Sequence, residues 1–394
     1  MALGIAACQP SSPDQGGAAA AQATAEEAPR VGLLDRMFLD RLSRLLVRPR
    51  NRRARPATTE GVDHVLRIDV PSPPARLEAW VFEAEAPHPA GAADTVLLLH
   101  GLGDSKASMA GLGRRLAGRG LRAVAVDLRG HGRSTGDHIA YGAFEAPDLS
   151  RVLDVLEERG LGPGRVGIYA ASHGAHIGIQ LAGRDRRVDR VVGVGTYRSL
   201  RTLVPEFVRL RYPEHANLPP RALQQAVDQA GRRAGFDPDV ASAERWIARS
   251  EARVLLVHGS DDEVVPARHA EALGRACEAT CRLLRLEGRD HLGSMHGPVL
   301  RAALLAWLEG RWADVPSGAP ADRRRGVDRA LPRGGRDGGE VRRCRPAGAP
   351  ARNRPRRPEM TELTTMDGRI CRFGRCHTPG MEPRRGLAAP PRTG

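Results

Sequence analysis

Lysine is almost missing from this 394-residue chain: of 61 basic residues only one, Lys106, is a lysine. A bias that extreme suggests a GC-rich coding sequence more than a selected surface, so arginine content is set aside as a functional clue. No run approaches the ~18 consecutive apolar residues of a membrane-spanning helix. There is no glycine fingerprint for a dinucleotide, no Walker loop and no His-x-x-x-His helix for a metal. No internal repeat is present. The sequence therefore implies no cofactor and no metal. Hydrophobic residues at 41% are enough for a real core, which excludes wholesale disorder.

The net charge of +15 is unevenly placed. Residues 313–394 hold 19 Arg against 9 acids, and residues 30–56 hold 9 Arg against 2. Residues 57–312 come to only +1, so the part that reads as folded is nearly neutral. The high isoelectric point belongs to the flanks and does not indicate a specific nucleic-acid partner. Residues 1–29 read as a signal remnant and flexible linker, rich in Ala, Gln, Ser, Pro and Gly. Residues 30–56 hold a basic amphipathic helix and a linker. Leu33, Leu34, Phe38, Leu42, Leu45 and Leu46 fall at helical spacing, which suits a helix docked on the domain or, alternatively, one lying on a membrane surface. Beyond residue 312, Arg, Pro and Gly make up 42 of 82 residues and nothing periodic survives; the tail is expected to be disordered.

Between 57 and 312 the pattern alternates. Strand-like runs occur at 64–70, 77–84, 94–99, 121–127, 164–170, 189–195, 252–258 and 280–286. Helical patterns lie between most of them, which predicts an α/β fold with a mostly parallel sheet of eight strands covered on both faces. Runs such as 95–99 and 253–257 are nearly all apolar, as central parallel strands should be. The first two runs have no helix between them and should form an antiparallel edge. One interval breaks the rhythm: residues 197–250 carry helical patterns near 200–211 and 221–234, and read as a small helical cap.

The sharpest segment is VGIYAASHGAHIG at 166–178, an apolar strand that runs through Ser172 into a helix of small residues. A serine on so tight a turn needs small neighbours two positions away, and here they are Ala170 and Gly174. Three further segments close strands: His100-Gly101-Leu102-Gly103, Asp127-Leu128-Arg129-Gly130-His131-Gly132-Arg133-Ser134, and His258-Gly259-Ser260-Asp261-Asp262 before Pro266. Asp290-His291 follows the last strand. These segments, each at a strand end and with Ser, Asp and His in that order, resemble the α/β-hydrolase family, over roughly residues 62–312.

That resemblance implies a serine hydrolase of the esterase, lysophospholipase-like or peptidase-like kind with a modest cap. Ser172 would be the nucleophile, His291 its base and Asp262 the acid that orients His291, with Asp261 as the alternative acid. The backbone N–H groups of Leu102 and His173 would form the oxyanion hole. His100 and His131 read as loop-bracing residues, and His173 and His176 as pocket-lining or helix-capping residues rather than metal ligands. A serine nucleophile disfavours the dehalogenase and epoxide-hydrolase branches. The expected substrate is a small acyl ester, including lysophospholipid-like or thioester compounds. The alternatives are a peptidase or amidase on the same triad, and a non-catalytic scaffold whose basic flanks grip an anionic partner. Oligomeric state is not legible.

Two cysteine features complete the reading. Cys277 and Cys281 flank a turn at a spacing compatible with a disulfide in an oxidising compartment. Ile5-Ala6-Ala7-Cys8 resembles a bacterial lipobox, although only seven residues precede Cys8. If the true start lies upstream, Cys8 would carry lipid and tether the enzyme to the cell envelope, with the basic 30–55 segment near an anionic surface. The alternative address is the cytoplasm.

Overall fold

The computed structural model describes residues 31–50 and 58–315, together with three short strands, β9 (Leu363–Thr364), β10 (Ile370–Arg372) and β11 (Arg375–His377), paired antiparallel in the order β11-β10-β9. Cys8 and most of the two flanks lie outside the described residues, so the lipid-anchor reading and the remainder of the tail reading fall there too.

Eight strands form one sheet: β1 (His64–Pro71), β2 (Pro74–Phe82), β3 (Thr95–Leu99), β4 (Arg122–Val126), β5 (Val166–Ala171), β6 (Val188–Val194), β7 (Arg253–Gly259) and β8 (Cys281–Leu286). Their order is β1-β2-β4-β3-β5-β6-β7-β8. β1 and β2 pair antiparallel and β2 lies antiparallel to β4, while every pair from β4 to β8 is parallel. The expected antiparallel edge and parallel centre are both present.

Side-chain alternation explains why the centre reads as continuous apolar sequence. On β3, Leu97 and Leu99 enter one core and Val96 and Leu98 the other, because successive side chains point to opposite faces. The first core is roofed by α3 (Glu145–Glu158), α4 (His173–Ala182), α7 (Ala243–Ile247) and α8 (Arg268–Ala276). The second is closed by α2 (Ala110–Ala117) and α9 (Pro298–Leu308), and it extends to Val315. β1, at the edge, keeps the exposed–buried alternation of a half-covered strand.

A third core forms the cap. It joins α1 (Leu33–Val47), α5 (Leu200–Arg211), α6 (Pro220–Ala234) and the turn at Ile139–Tyr141. Ser199 caps α5 in a reciprocal box with Thr202, and α6 starts on Pro220 and stops at Gly235 in the left-handed region. The amphipathic helix predicted at 31–47 is thus docked on the cap, through buried Leu42, Leu46 and Val47. Asp40 pairs with Arg233 at 2.5 Å, Asp35 with His215 at 2.8 Å, and the Phe38 ring stacks on His215 at 3.8 Å. The end of the 197–250 interval differs from a simple cap: Ala243 and Ile247 of α7 pack into the main core. Five residues are too few for helical periodicity to reveal.

Cys277 and Cys281 are joined by a disulfide across the turn into β8, with Cα atoms 5.4 Å apart.

Candidate active site

The site is assembled at the carboxyl ends of the parallel strands. Ser172 sits between β5 and α4 with φ 49° and ψ −113°. A non-glycine residue there is strained by about 1–3 kcal/mol and persists only where its surroundings fix it. They do: the Ser172 N–H donates to the Val194 carbonyl at 2.7 Å, and its own carbonyl accepts from the His176 N–H at 3.1 Å. Gly174 is obligatory, since a Cβ there would lie 2.6 Å from the His100 carbonyl oxygen and 2.7 Å from that of Leu99. Ala170 is buried opposite Gly193 of β6 in the ladder.

The structure brings Ser172, His291 and Asp262 into one hydrogen-bonded line. The Ser172 hydroxyl donates to His291 Nε2 at 3.0 Å, and His291 Nδ1 donates to Asp262 Oδ2 at 2.7 Å. Asp262 only accepts, which places the imidazole proton on Nδ1 and leaves Nε2 free for the serine. The carboxylate is held on every side. Its Oδ1 accepts the N–H groups of Val264 and Val265 at 2.9 and 2.8 Å, and Oδ2 lies 3.2 Å from His258 Nε2. Burial pushes the Asp262 carboxyl up, but the hydrogen bonds from His258 and His291 outweigh it and hold the group well below the usual carboxylate range. Asp261 points away: its Oδ1 accepts the Ser260 hydroxyl at 2.7 Å and the residue is exposed.

The loop after β3 runs beside the serine. An ideal Cβ on Gly101 would come 3.8 Å from Ser172 Cβ. Among the described residues, the backbone N–H groups of Leu102 and His173 have no protein acceptor, as donors kept for a developing oxyanion should be. His100 braces this loop. Its Nε2 accepts the Leu128 N–H at 3.1 Å, so Nδ1 carries the proton and donates to the Gly101 carbonyl at 2.8 Å. His131 Nδ1 donates to the Arg129 carbonyl at 2.9 Å, and burial pushes its pKa down to about 3. The His173 ring is buried edge-on to Tyr141 and held well below its ordinary pKa by burial. His176 is likewise buried, with Nδ1 3.0 Å from the Tyr197 carbonyl. None of these four is placed to take a proton from Ser172. Among the described residues no group of three or more His, Cys, Asp or Glu could hold a metal ion.

Three supporting residues escaped the sequence reading. His258 opens the segment that carries the acid, and its Nε2 donates to the Val265 carbonyl at 2.7 Å while facing Asp262. Lys106 lies 2.5 Å from Asp127 and 3.0 Å from Glu78 and is 3% exposed, so it ties the loop after β3 to the end of β4. Its being the chain's single lysine was the available signal. Tyr141 adopts φ 53° and donates its hydroxyl to the Leu46 carbonyl at 2.7 Å, while Glu145 accepts the N–H groups on either side of it.

Known proteins match this architecture. The alpha/beta hydrolase fold family model matches residues 94–232, from the start of β3 into α6. The uncharacterized protein YfhR of Escherichia coli K12 is 23% identical over 238 residues, covering 59% of this chain and 76% of that protein. The uncharacterized protein Rv2307c of Mycobacterium tuberculosis H37Rv is 29% identical over 218 residues, covering 55% and 68%. Among solved structures, the Pyrococcus furiosus esterase Pf2001 superposes with a TM-score of 0.52 at 18% identity, over 68% of this chain and 97% of that one. With the strand order and the serine-bearing turn after β5, these matches show that the chain has the α/β-hydrolase fold.

Proposed function

We propose that this α/β hydrolase is a serine enzyme that cleaves carboxylic esters through an acyl-enzyme. The observation that carries the reading is the unbroken line from Ser172 through His291 to Asp262, at 3.0 and 2.7 Å. Ser172 Oγ attacks the ester carbonyl carbon while His291 Nε2 takes its proton. The oxyanion is received by the N–H groups of Leu102 and His173, and the collapsing intermediate expels the alcohol, protonated by His291. Water activated by the same imidazole then releases the acid and regenerates Ser172. Asp262 keeps the imidazole in its working tautomer and stabilises the cation that forms twice per turnover.

The apolar rim favours an ester with a hydrocarbon acyl group. Leu102, beside the proposed oxyanion donors, and Leu292, next to His291, are 37% and 53% exposed. Apolar side chains open to water next to a reactive serine gain by covering an acyl chain. A fluorophosphonate probe should label the chain at Ser172 and fail on Ser172→Ala. A series of p-nitrophenyl esters of increasing chain length, run beside aminoacyl anilides, tests the leaving group. Labelling with anilide turnover above ester turnover would transfer the reading to an amidase, and no labelling of folded protein would end both.

A further inference from the structure

Helix α1 has two faces with different fates. One is buried in the cap core through Leu42, Leu46 and Val47. The other is open, and at its start Leu33, Leu34 and Met37 are 68%, 77% and 62% exposed. Down the same side, the stripe begun by Leu33 and Met37 continues as Arg41, Arg44 and Arg48, all exposed, with Arg36 exposed beside Met37. The helix's two acids are engaged elsewhere, Asp35 by His215 and Asp40 by Arg233 and Arg44. Among the described residues, Arg36, Arg41 and Arg48 have no acidic partner. The end of α5 adds to the patch: Leu210 is 51% exposed between exposed Arg209 and Arg211, and the following residue, Tyr212, lies 5.3 Å from Phe38, ring to ring.

Single exposed leucines are ordinary, but three large apolar side chains within five residues, bordered by arginines that have no acidic partner among the described residues, are not. We propose that this face of α1 docks on an anionic bilayer surface, with Leu33, Leu34 and Met37 among the acyl chains and the arginines on headgroup phosphates. The chemistry of the two ends matches the two depths of such an interface. A second copy of the chain is the poorer occupant, because a two-fold contact through this face would set two positively charged surfaces against each other. A nucleic acid would use the arginines and leave the apolar tip in water. The proposal stands apart from the hydrolase reading, since none of its residues touches Ser172, His291 or Asp262.

The test is sedimentation of the full-length chain, as Cys8→Ser so that no lipid on that residue carries the binding, with sucrose-loaded vesicles. Vesicles of phosphatidylcholine with about one third phosphatidylglycerol should bind it at least about tenfold better than phosphatidylcholine alone. The triple variant Leu33→Glu, Leu34→Glu, Met37→Glu should lose about tenfold or more of that partitioning. Each of Arg36→Gln, Arg41→Gln and Arg48→Gln should cost about fivefold. Unchanged thermal unfolding, followed by circular dichroism, shows that these exposed positions leave the fold alone. If the folded triple variant binds as the parent does, binding belongs to other basic segments and the proposal fails. It fails equally if the parent does not bind, or if the triple substitution abolishes self-association instead.

Discussion

His100, His131 and His173 form one group of histidines among the loops of the site; His291 with Asp262 forms another. The first three are packed ring to ring, with centroids 5.1 Å apart between His100 and His131 and 5.8 Å between His131 and His173. Burial holds all three below their ordinary pKa, so they stay neutral and act as shaped braces for the loops around the serine. His291 has instead a carboxylate behind it and the hydroxyl in front of it. One side chain type does two jobs within one layer of loops, and what separates them is the partner of each nitrogen. Only His291 has a carboxylate on one ring nitrogen and the serine hydroxyl on the other.

The strongest way to break this contrast is to delete its active half. Ser172→Ala and His291→Ala should each lower kcat/KM for a p-nitrophenyl ester by about 10⁴–10⁶-fold. His131→Gln, on the bracing side, should stay within about tenfold because no proton passes through it. A loss for His131→Gln as deep as for His291→Ala would erase the distinction.

Next in size is the acid. Asp262→Asn should cost about 10²–10⁴-fold in kcat, since an amide cannot stabilise the imidazolium. Asp261→Asn should change rate less than about twofold. The reverse pattern would mean that the turn after β7 is wired differently from the hydrogen bonds described.

Lys106→Met addresses the scaffold alone. It leaves the buried Asp127 carboxylate without its cation and Glu78 with only Arg67 and Arg133, each at 3.9 Å, and chemical denaturation should show a loss of about 3–5 kcal/mol. An unchanged midpoint would mean that neither acid depends on the lysine.

The smallest effect is graded with pH. His131 and His176 titrate in the fold at about 3 and about 4, both pushed down chiefly by burial, against 6.5 when exposed. Between those values the unfolded chain binds more protons than the folded one. Their contribution is therefore complete above pH 6.5 and is lost as pH falls toward 4. Each should add up to about 1.4 kcal/mol per pH unit to the slope of unfolding free energy, and His131→Gln should remove one such share. A flat profile across that window would mean that these rings are solvated.

The sheet was legible because buried parallel strands leave no choice but apolar sequence, and all eight runs fall on observed strands. The turn at Ser172 was legible for a related reason: Gly174 has no room for a side chain, so the constraint is written in composition. Asp261 and Asp262 are chemically identical neighbours, and residue type alone could not separate them. What separates them in space is the turn that offers the Val264 and Val265 N–H groups to Asp262, and that depends on backbone angles rather than residue type. The role of Lys106 depends on Glu78 and Asp127 arriving from β2 and the end of β4, contacts 28 and 21 residues away in sequence. The docking of α1 was likewise open from sequence, since its apolar spacing suits a protein core and a membrane surface equally well.

The burial of that lone lysine has a practical chemical consequence. In the folded chain its amine is locked between two carboxylates and 3% exposed, and no other lysine exists. Amine-directed acylating reagents should therefore leave Lys106 unmodified on native protein. Modification at Lys106 should appear only in molecules that have opened. The rate at which that mass increment accumulates on the Lys106 peptide would report, without any engineered probe, how often the loop that carries the proposed oxyanion donors comes away from the sheet.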